Sequence, residues 1–391
     1  MRDPLDIAPI LSAVREVLAD VPRPIALHEP SFGDREQEYV TECIRTGRVS
    51  SVGEFVDRFE EALARYTGAR HAILTVNGTA ALHIALLMAG VRSDDEVIIP
   101  ALTFVATANA VRYCAAVPHF ADSDERTLGI DPSKLATHLS RIAELRGGRC
   151  INRETGRRIA AVVPMHTFGH PVDMDPLLEL CRQYELPIVE DAAESLGSRY
   201  AGRHTGSMGL LGVLSFNGNK IVTTGGGGAV LTNDAALARA TKHATTTAKV
   251  LHPWEFLHDQ VGYNYRMPNL NAALGCAQLE RLPVFLKAKR ALALRYADAF
   301  SGVPGVLLFS ECPGVTSNYW LNVLILDREH AEARDRIIEA FHAEGIHVRP
   351  AWTPMPRLPM YESCPAMNLA TAESLFARMI NLPSSAHLAR A

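Results

Sequence analysis

The sequence predicts an α/β protein: a large domain with a mostly parallel sheet flanked by helices, followed by a smaller C-terminal α/β domain. Three observations predict it. Short β-rich apolar runs alternate with helical runs between residues 72 and 243, as buried parallel strands joined by crossover helices require. The chain has 391 residues, 48% of them hydrophobic and 21% charged, which exceeds what one core usually serves. A long helical pattern over 268–300, interrupted at Pro283, then leads into a region of different element order.

The elements follow in chain order. Residues 1–20 carry Ile7, Ile10, Leu11, Val14 and Leu18 at helical spacing, and Pro22 and Pro24 end that helix. Residues 1–24 are therefore expected to form an N-terminal helical extension, with the large domain over 25–275 and the small one over 276–391. Helices are expected over 34–46 and 53–66. Strands are expected over 72–76, 96–99, 160–164, 187–190, 212–216 and 228–232, with helices over 80–89, 106–114, 132–145, 175–184 and 235–243. The segment 146–158 is basic, polar and glycine-containing, which reads as a surface excursion. The small domain is expected to carry strands over 319–326 and 346–349 and a helix over 331–344.

Bulk properties exclude several classes. A net charge of −4 gives no global field for a polyanion, so nucleic acid is not an expected partner. Seven scattered cysteines show neither a C-x-x-C pair nor metal-ligand spacing, which fits reduced thiols in the cytoplasm. No apolar run long enough for a signal peptide or a membrane span occurs. His166 and His170 could share a face only on a helix, which Pro164 and Pro171 oppose, so no metal site is expected.

The chemistry centres on Lys220. It closes Ser215-Phe-Asn-Gly-Asn-Lys and precedes Ile-Val-Thr-Thr and four glycines, 225–228. An amine between a hydroxyl and a glycine-dense turn is placed like one that joins a phosphate-bearing carbonyl cofactor as a Schiff base. The glycine run lacks the Gly-Lys-Ser/Thr ending of a nucleotide-binding P-loop and reads as a tight turn passing close to the site. Asp191 ends a strand and could keep a pyridine ring nitrogen protonated, or simply cap a helix. Asn77-Gly78-Thr79-Ala80 opens a helix whose free N–H groups could cradle phosphate, or be an ordinary capped start. Ser215 offers a second phosphate hydroxyl. Phe104 could stack on a cofactor ring or sit in the core.

Taken together, Asn77-Gly-Thr-Ala-Ala, Val189-Glu-Asp-Ala-Ala-Glu, Ser215-Phe-Asn-Gly-Asn-Lys and Gly262-Tyr-Asn-Tyr-Arg-Met resemble the DegT-type family of sugar aminotransferases. The resemblance implies the pyridoxal-phosphate-dependent transferase fold of type I and covers about 25–383. Softer motifs, His28-Glu-Pro-Ser-Phe-Gly, Val49-Ser-Ser-Val-Gly, the stretch from Pro164 and the basic insertion, resemble the branch that aminates C4 of UDP-4-keto-6-deoxy-N-acetylglucosamine on the way to legionaminic acid. It further implies Lys220 as the Schiff-base lysine and Asp191 as the partner of the pyridine nitrogen. Phe104 is implied as the ring-stacking residue, and Gly78, Thr79, Ala80 and Ser215 as the phosphate cradle. Asn264 would reach the phosphate from the neighbouring subunit of a homodimer with shared active sites.

Glu194 stands where many relatives have Gln or His bonded to the cofactor's phenolic oxygen; an ionised Glu there would repel a phenolate. His166, Arg266, Asn318, Tyr319, His347 and Arg349 are the candidate substrate contacts. The implied reaction moves an amino group from an amino acid, glutamate by resemblance, to a nucleotide-linked keto sugar for surface glycan synthesis, with Lys220 shuttling the proton. A 3-keto sugar, or a GDP- or TDP-linked one, is the alternative substrate. Related dehydratases carry His in place of the lysine, and a regulatory protein on the same fold would be expected to lose Lys220, Asp191 or the phosphate residues.

Overall fold

The computed structural model describes residues 5–390. Helices α1 (Ala8–Val17), α2 (Asp34–Thr46) and α3 (Glu54–Thr67) precede strand β1 (His71–Thr75). There follow α4 (Gly78–Met88), β2 (Glu96–Pro100), α5 (Val105–Tyr113), β3 (Val117–Ala121) and α6 (Pro132–Ile142). A hairpin of β4 (Ala143–Leu145) and β5 (Cys150–Asn152) leads to β6 (Ile159–Val162), α7 (Met174–Gln183) and β7 (Val189–Asp191). A second hairpin, β8 (Arg199–Tyr200) and β9 (Arg203–His204), precedes β10 (Leu211–Ser215), β11 (Gly228–Thr232) and α8 (Ala235–Thr245). A third, β12 (Lys249–Val250) and β13 (Leu257–His258), precedes α9 (Asn269–Ala299).

The main sheet is read as β1-β11-β10-β7 and β6-β2-β3, joined at the centre by parallel bridges Val162–Ile188 and Met165–Asp191. Only β11 runs antiparallel to its neighbours. β2 and β11 are buried along their whole length, the pattern of strands covered by helices on both faces. β3 escaped the sequence reading because Pro118 and His119 interrupt its apolar run.

α9 corrects one expectation. It runs unbroken for 31 residues through Pro283, although an interior proline forfeits a hydrogen bond at a cost of about 3 kcal/mol. Packing supplies the compensation: Phe59 of α3 and Tyr39 of α2 share a core with its first half, Ile10 and Val14 of α1 with Leu292 and Tyr296 of its second.

The C-terminal unit comprises β14 (Val306–Leu308), β15 (Val315–Thr316), β16 (Asn322–Leu326), α10 (Arg334–Ala343), β17 (Arg349–Pro350), α11 (Ala370–Arg378) and β18 (Met379–Leu382). Its antiparallel sheet has the order β14-β16-β18-β17, while β15 pairs with β8. α1 buries Ile10 and Val14, and Leu18 just after it, in the same cluster as Leu326, Ile337, Phe341 and Ile380. The N-terminal segment thus contributes to the core of the C-terminal unit.

The basic insertion is a pinned hairpin and not a free loop. Its Arg157 and Arg158 pair with Asp94 and Asp95, and Asn152 and Thr155 donate to buried Glu96. The expected helix over 132–145 ends early, because Ala143 turns extended to start this hairpin.

Candidate active site

The carboxyl ends of β1, β2, β7 and β10 open on one edge of the sheet, where ligands of such sheets bind. β1 delivers Asn77-Gly78-Thr79-Ala80, β2 delivers Phe104, β7 delivers Asp191 and Glu194, and β10 delivers Ser215 and Lys220. β11 lies between β1 and β10, and Gly228 in it faces both Thr75 and Ser215. A Cβ on Gly228 would come within 2.7 Å of the Gly78 nitrogen, so glycine there lets the β1–α4 turn close on the sheet.

Lys220 Nζ lies 3.1 Å from Glu194 Oε1 and 3.9 Å from the centroid of the Trp320 ring. Glu194 is 4% exposed. Burial pushes its carboxyl up to about 7, opposed by the Lys220 charge and by the Phe168 N–H that Oε2 accepts at 2.9 Å. Asp191 is also buried; its Oδ2 accepts from the Thr107 hydroxyl at 2.8 Å and its Oδ1 from the Ala193 N–H at 3.2 Å. Burial raises the Asp191 carboxyl as well, and those two donors pull it back. Among the described residues no cation pairs with Asp191, so a protonated ring nitrogen would supply the missing partner.

Gly78 and Ser215 are in close approach: a Cβ at 78 would sit 2.9 Å from Ser215 Cβ. With the half-buried Thr79 they stand at the start of α4, where helix N-terminal N–H groups suit a phosphate group. Phe104 caps α5 and is 51% exposed, an aromatic face open at a strand end and not the core residue it could have been. These donors fit pyridoxal phosphate. Ala80 is the exception in the cradle: its N–H is already taken by the Asn77 side chain at 2.7 Å.

Most candidate substrate contacts lie elsewhere or are fully engaged. Arg266 is buried, donating to Glu60 at 2.7 Å and to the Leu74 carbonyl at 3.0 Å, so its charge serves the β1 wall and not a diphosphate. His166 is fully buried; its Nδ1 accepts the Val172 N–H, which leaves the proton on Nε2 for Glu190 at 3.0 Å. Asn318 donates to the Glu194 and Leu196 carbonyls and accepts the Trp320 N–H, a clamp with no group to spare. Tyr319 packs edge-on against His170 and under Arg290. His347 is exposed and stacks on His342 in the C-terminal unit. Arg349 is exposed and has no ion pair among the described residues, and Asn264 is likewise exposed, paired to Thr246 through backbone only.

Trp320, Thr107 and His28 were not singled out by the sequence. The Trp320 indole donates to the Asn219 carbonyl at 2.8 Å, beside Lys220, and its own carbonyl accepts from buried Lys289 at 3.2 Å. His28 Nδ1 is buried with no partner, and burial together with the charges of Lys289 and Lys220 holds this ring well below the usual histidine range. The sequence signals near them were soft: the motif at His28, and Asn318 and Tyr319 beside Trp320.

Comparison with known proteins points to the same family as the sequence motifs. The model of the DegT/DnrJ/EryC1/StrS aminotransferase family matches residues 30–391. A GDP-perosamine synthase of Caulobacter vibrioides is 37% identical over 377 residues, 96% of each chain. EpsN of Bacillus subtilis, a putative pyridoxal phosphate-dependent aminotransferase, is 35% identical over 372 residues, covering 93% of this chain and 92% of the relative. Among solved structures, PseC of Helicobacter pylori, an aminotransferase involved in the biosynthesis of pseudoaminic acid, matches with a TM-score of 0.84 and 25% identity, covering 94% of this chain and 97% of its own. The fold is the type I transferase fold, and the protein is a pyridoxal-phosphate-dependent enzyme. With the family match running over residues 30–391 and a relative aligned over 96% of each chain, the chain belongs to the DegT/DnrJ/EryC1/StrS aminotransferase family.

Proposed function

We propose that the protein moves an amino group from L-glutamate to C4 of a nucleotide-linked 4-keto-6-deoxy sugar, with GDP as the nucleotide, for surface glycan synthesis in the cytoplasm. The observation that carries the reading is the Lys220 amine held 3.1 Å from Glu194, on the same sheet edge as buried Asp191. Bound pyridoxal phosphate supplies a carbonyl that takes up the amino group and a ring that draws electrons from the reacting carbon. Lys220 Nζ anchors that carbonyl and, once free, carries the proton between donor or sugar carbon and cofactor. Asp191 keeps its charge toward the ring nitrogen and so holds a proton there. Thr79 and Ser215 hold the phosphate, with Phe104 against the ring.

The name of the Caulobacter relative supports GDP. UDP-4-keto-6-deoxy-N-acetylglucosamine is the second reading. It rests on the softer motifs, and one of these, the basic insertion, has its Arg157 and Arg158 occupied by Asp94 and Asp95. A homodimer with Asn264 facing the partner's phosphate site is supported by the exposed apolar side chains of Leu251, Trp254, Phe256 and Val261 just before it. Reduced thiols fit a cytoplasmic setting, since all seven cysteines are free.

The test is the visible absorbance of purified wild type and Lys220→Ala, followed by a panel of GDP-, UDP- and TDP-linked 4-keto and 3-keto sugars with glutamate. A lysine-bound cofactor band in wild type that Lys220→Ala lacks, with GDP 4-keto sugars aminated fastest, is the expected result. Absence of the band in wild type overturns the reading, and amination of 3-keto sugars alone overturns the C4 assignment.

A further inference from the structure

The backbone is bent around Glu194. Phe168 and Tyr319 adopt φ of 55° and 47°, a left-handed conformation that side chains with a Cβ rarely take. The Phe168 turn aims its N–H at Glu194 Oε2 at 2.9 Å. Beside it, Gly169 at φ 96° makes room for Asn318, since a Cβ there would run into Asn318 Oδ1. Asn318 in turn donates to the Glu194 carbonyl at 2.9 Å. From the other side the Trp320 ring holds the Lys220 amine, and Asn219 and Lys289 hold Trp320. A carboxyl group and an amine are thus fixed face to face by segments from three parts of the chain.

We propose that Glu194 is a catalytic residue that shares one proton with Lys220, taking it from Nζ onto Oε1 when the amine must act as nucleophile or base and returning it when the amine must act as acid. The inference rests on the reading that Lys220 is the amine that binds the cofactor. In the forward step one N–H bond breaks and one O–H bond forms. Ammonium and carboxylate become amine and carboxylic acid, and the net charge of the pair stays zero. That balance matters where water is scarce, because releasing a proton elsewhere would leave an unpaired buried charge.

Burial raises the Glu194 carboxyl to about 7, so this group can hold or give up a proton near neutral pH. The titratable groups around it are Lys220, which lowers that value, and Asp191, which raises it. One layer out, His166 acts on Asp191, while His28 is close enough to Lys220 and Lys289 to feel their charges. On the acid side of about 7 the Glu194 carboxyl already holds a proton and cannot accept one from Nζ; on the alkaline side it is a carboxylate and can.

The test uses cofactor-free full-length protein and added pyridoxal phosphate, with the rate of appearance of the lysine-bound band followed against pH. In wild type the rate is expected to rise about tenfold through a step near neutrality and then level off. Glu194→Gln, which can still accept the Phe168 N–H, is expected to lose the step, to be slowed about tenfold at mildly alkaline pH, and to reach the same final absorbance. A step of wild-type size and position in Glu194→Gln overturns the proposal. A Lys220→Ala protein that captures cofactor like wild type overturns the underlying reading as well, which separates the two failures. Infrared difference spectra of wild type across the step provide a measurement that needs no folded variant. Loss of a carboxylic acid carbonyl band on the alkaline side is expected, and its absence overturns the proposal.

Discussion

Two buried glutamates four residues apart, Glu190 and Glu194, have opposite surroundings. Glu190 accepts the Gly206, Met208 and Gly209 N–H groups at 2.6–2.7 Å and His166 Nε2 at 3.0 Å. Those donors hold its carboxyl below the usual range despite complete burial. Glu194 has one backbone N–H and one amine, and burial wins, raising it to about 7. A buried carboxylate with every lone pair engaged is part of the framework; one left short of donors retains a proton and can exchange it. The contrast places framework and chemistry side by side in one loop: Glu190 anchors the 206–209 turn beneath the sheet edge, and Glu194 faces the lysine above it.

The largest expected effect tests that contrast through stability. Glu190→Ala strands three backbone N–H groups and a histidine N–H in the interior, and should lower the unfolding free energy by about 3–5 kcal/mol in denaturant titrations. Glu194→Gln removes a poorly compensated charge and keeps its shape, so the same titration should show no loss larger than about 1 kcal/mol. Equal losses in the two variants would dissolve the distinction. Next in size is Gly169→Ala, which needs both a left-handed backbone and the space of Asn318. Its expected cost is about 2–3 kcal/mol, with slower cofactor capture because the clamp on Glu194 loosens. A neutral Gly169→Ala would show that the clamp is soft.

A pH series sharpens the comparison further, because the two groups have opposite linkage. Glu190 is depressed in the folded state, so its stabilisation is present above the unfolded value of about 4.3 and is lost as pH falls below it. Glu194 is raised, so the folded state keeps a proton that the unfolded state loses. Its contribution is greatest below about 4.3 and fades as pH rises to about 7. Relative to wild type, Glu194→Gln should therefore gain stability across that interval, and Glu190→Gln should show no such gain. Thermal unfolding at a few pH values would decide it, and parallel curves for both variants would contradict the assignment of opposite shifts.

Much of this was legible in the sequence, and the limits have physical causes. The alternation of strands and helices, Asp191 and Lys220 at strand ends and the Gly78 turn are local signals, carried by residues within a few positions of one another. Trp320, Thr107 and Asn318 act on the site through contacts across 84 to 124 residues of chain, which no periodicity records. The helix through Pro283 is a case where tertiary packing overrides a local breaker. Arg266 was misjudged because a charge beside a motif says nothing about Glu60, 206 positions away, which already holds it. The small domain's β14, β18 and α11 were missed because short antiparallel strands and a nine-residue helix leave weak patterns.

The smallest expected stability effect applies the lesson of the glutamates to arginines. Arg266 resembles Glu190, since Glu60 and a backbone carbonyl occupy its guanidinium inside the protein. Arg349 resembles Glu194: it is exposed at the start of β17, and no carboxylate pairs with it among the described residues. A free guanidinium on an ordered strand is suited to a diphosphate, which binds two parallel N–H donors well. Arg349→Ala should therefore leave unfolding within about 0.5 kcal/mol of wild type. If Arg349 holds the nucleotide's diphosphate, the same change raises KM for the sugar nucleotide about tenfold with little change in kcat, as loss of uniform binding does. Arg266→Ala should do the reverse, weakening the fold first and catalysis only through it. Steady-state kinetics on the two variants, set beside their unfolding curves, separates the partnered cation from the free one; an unchanged KM in Arg349→Ala would leave the diphosphate to backbone N–H groups and the partner subunit.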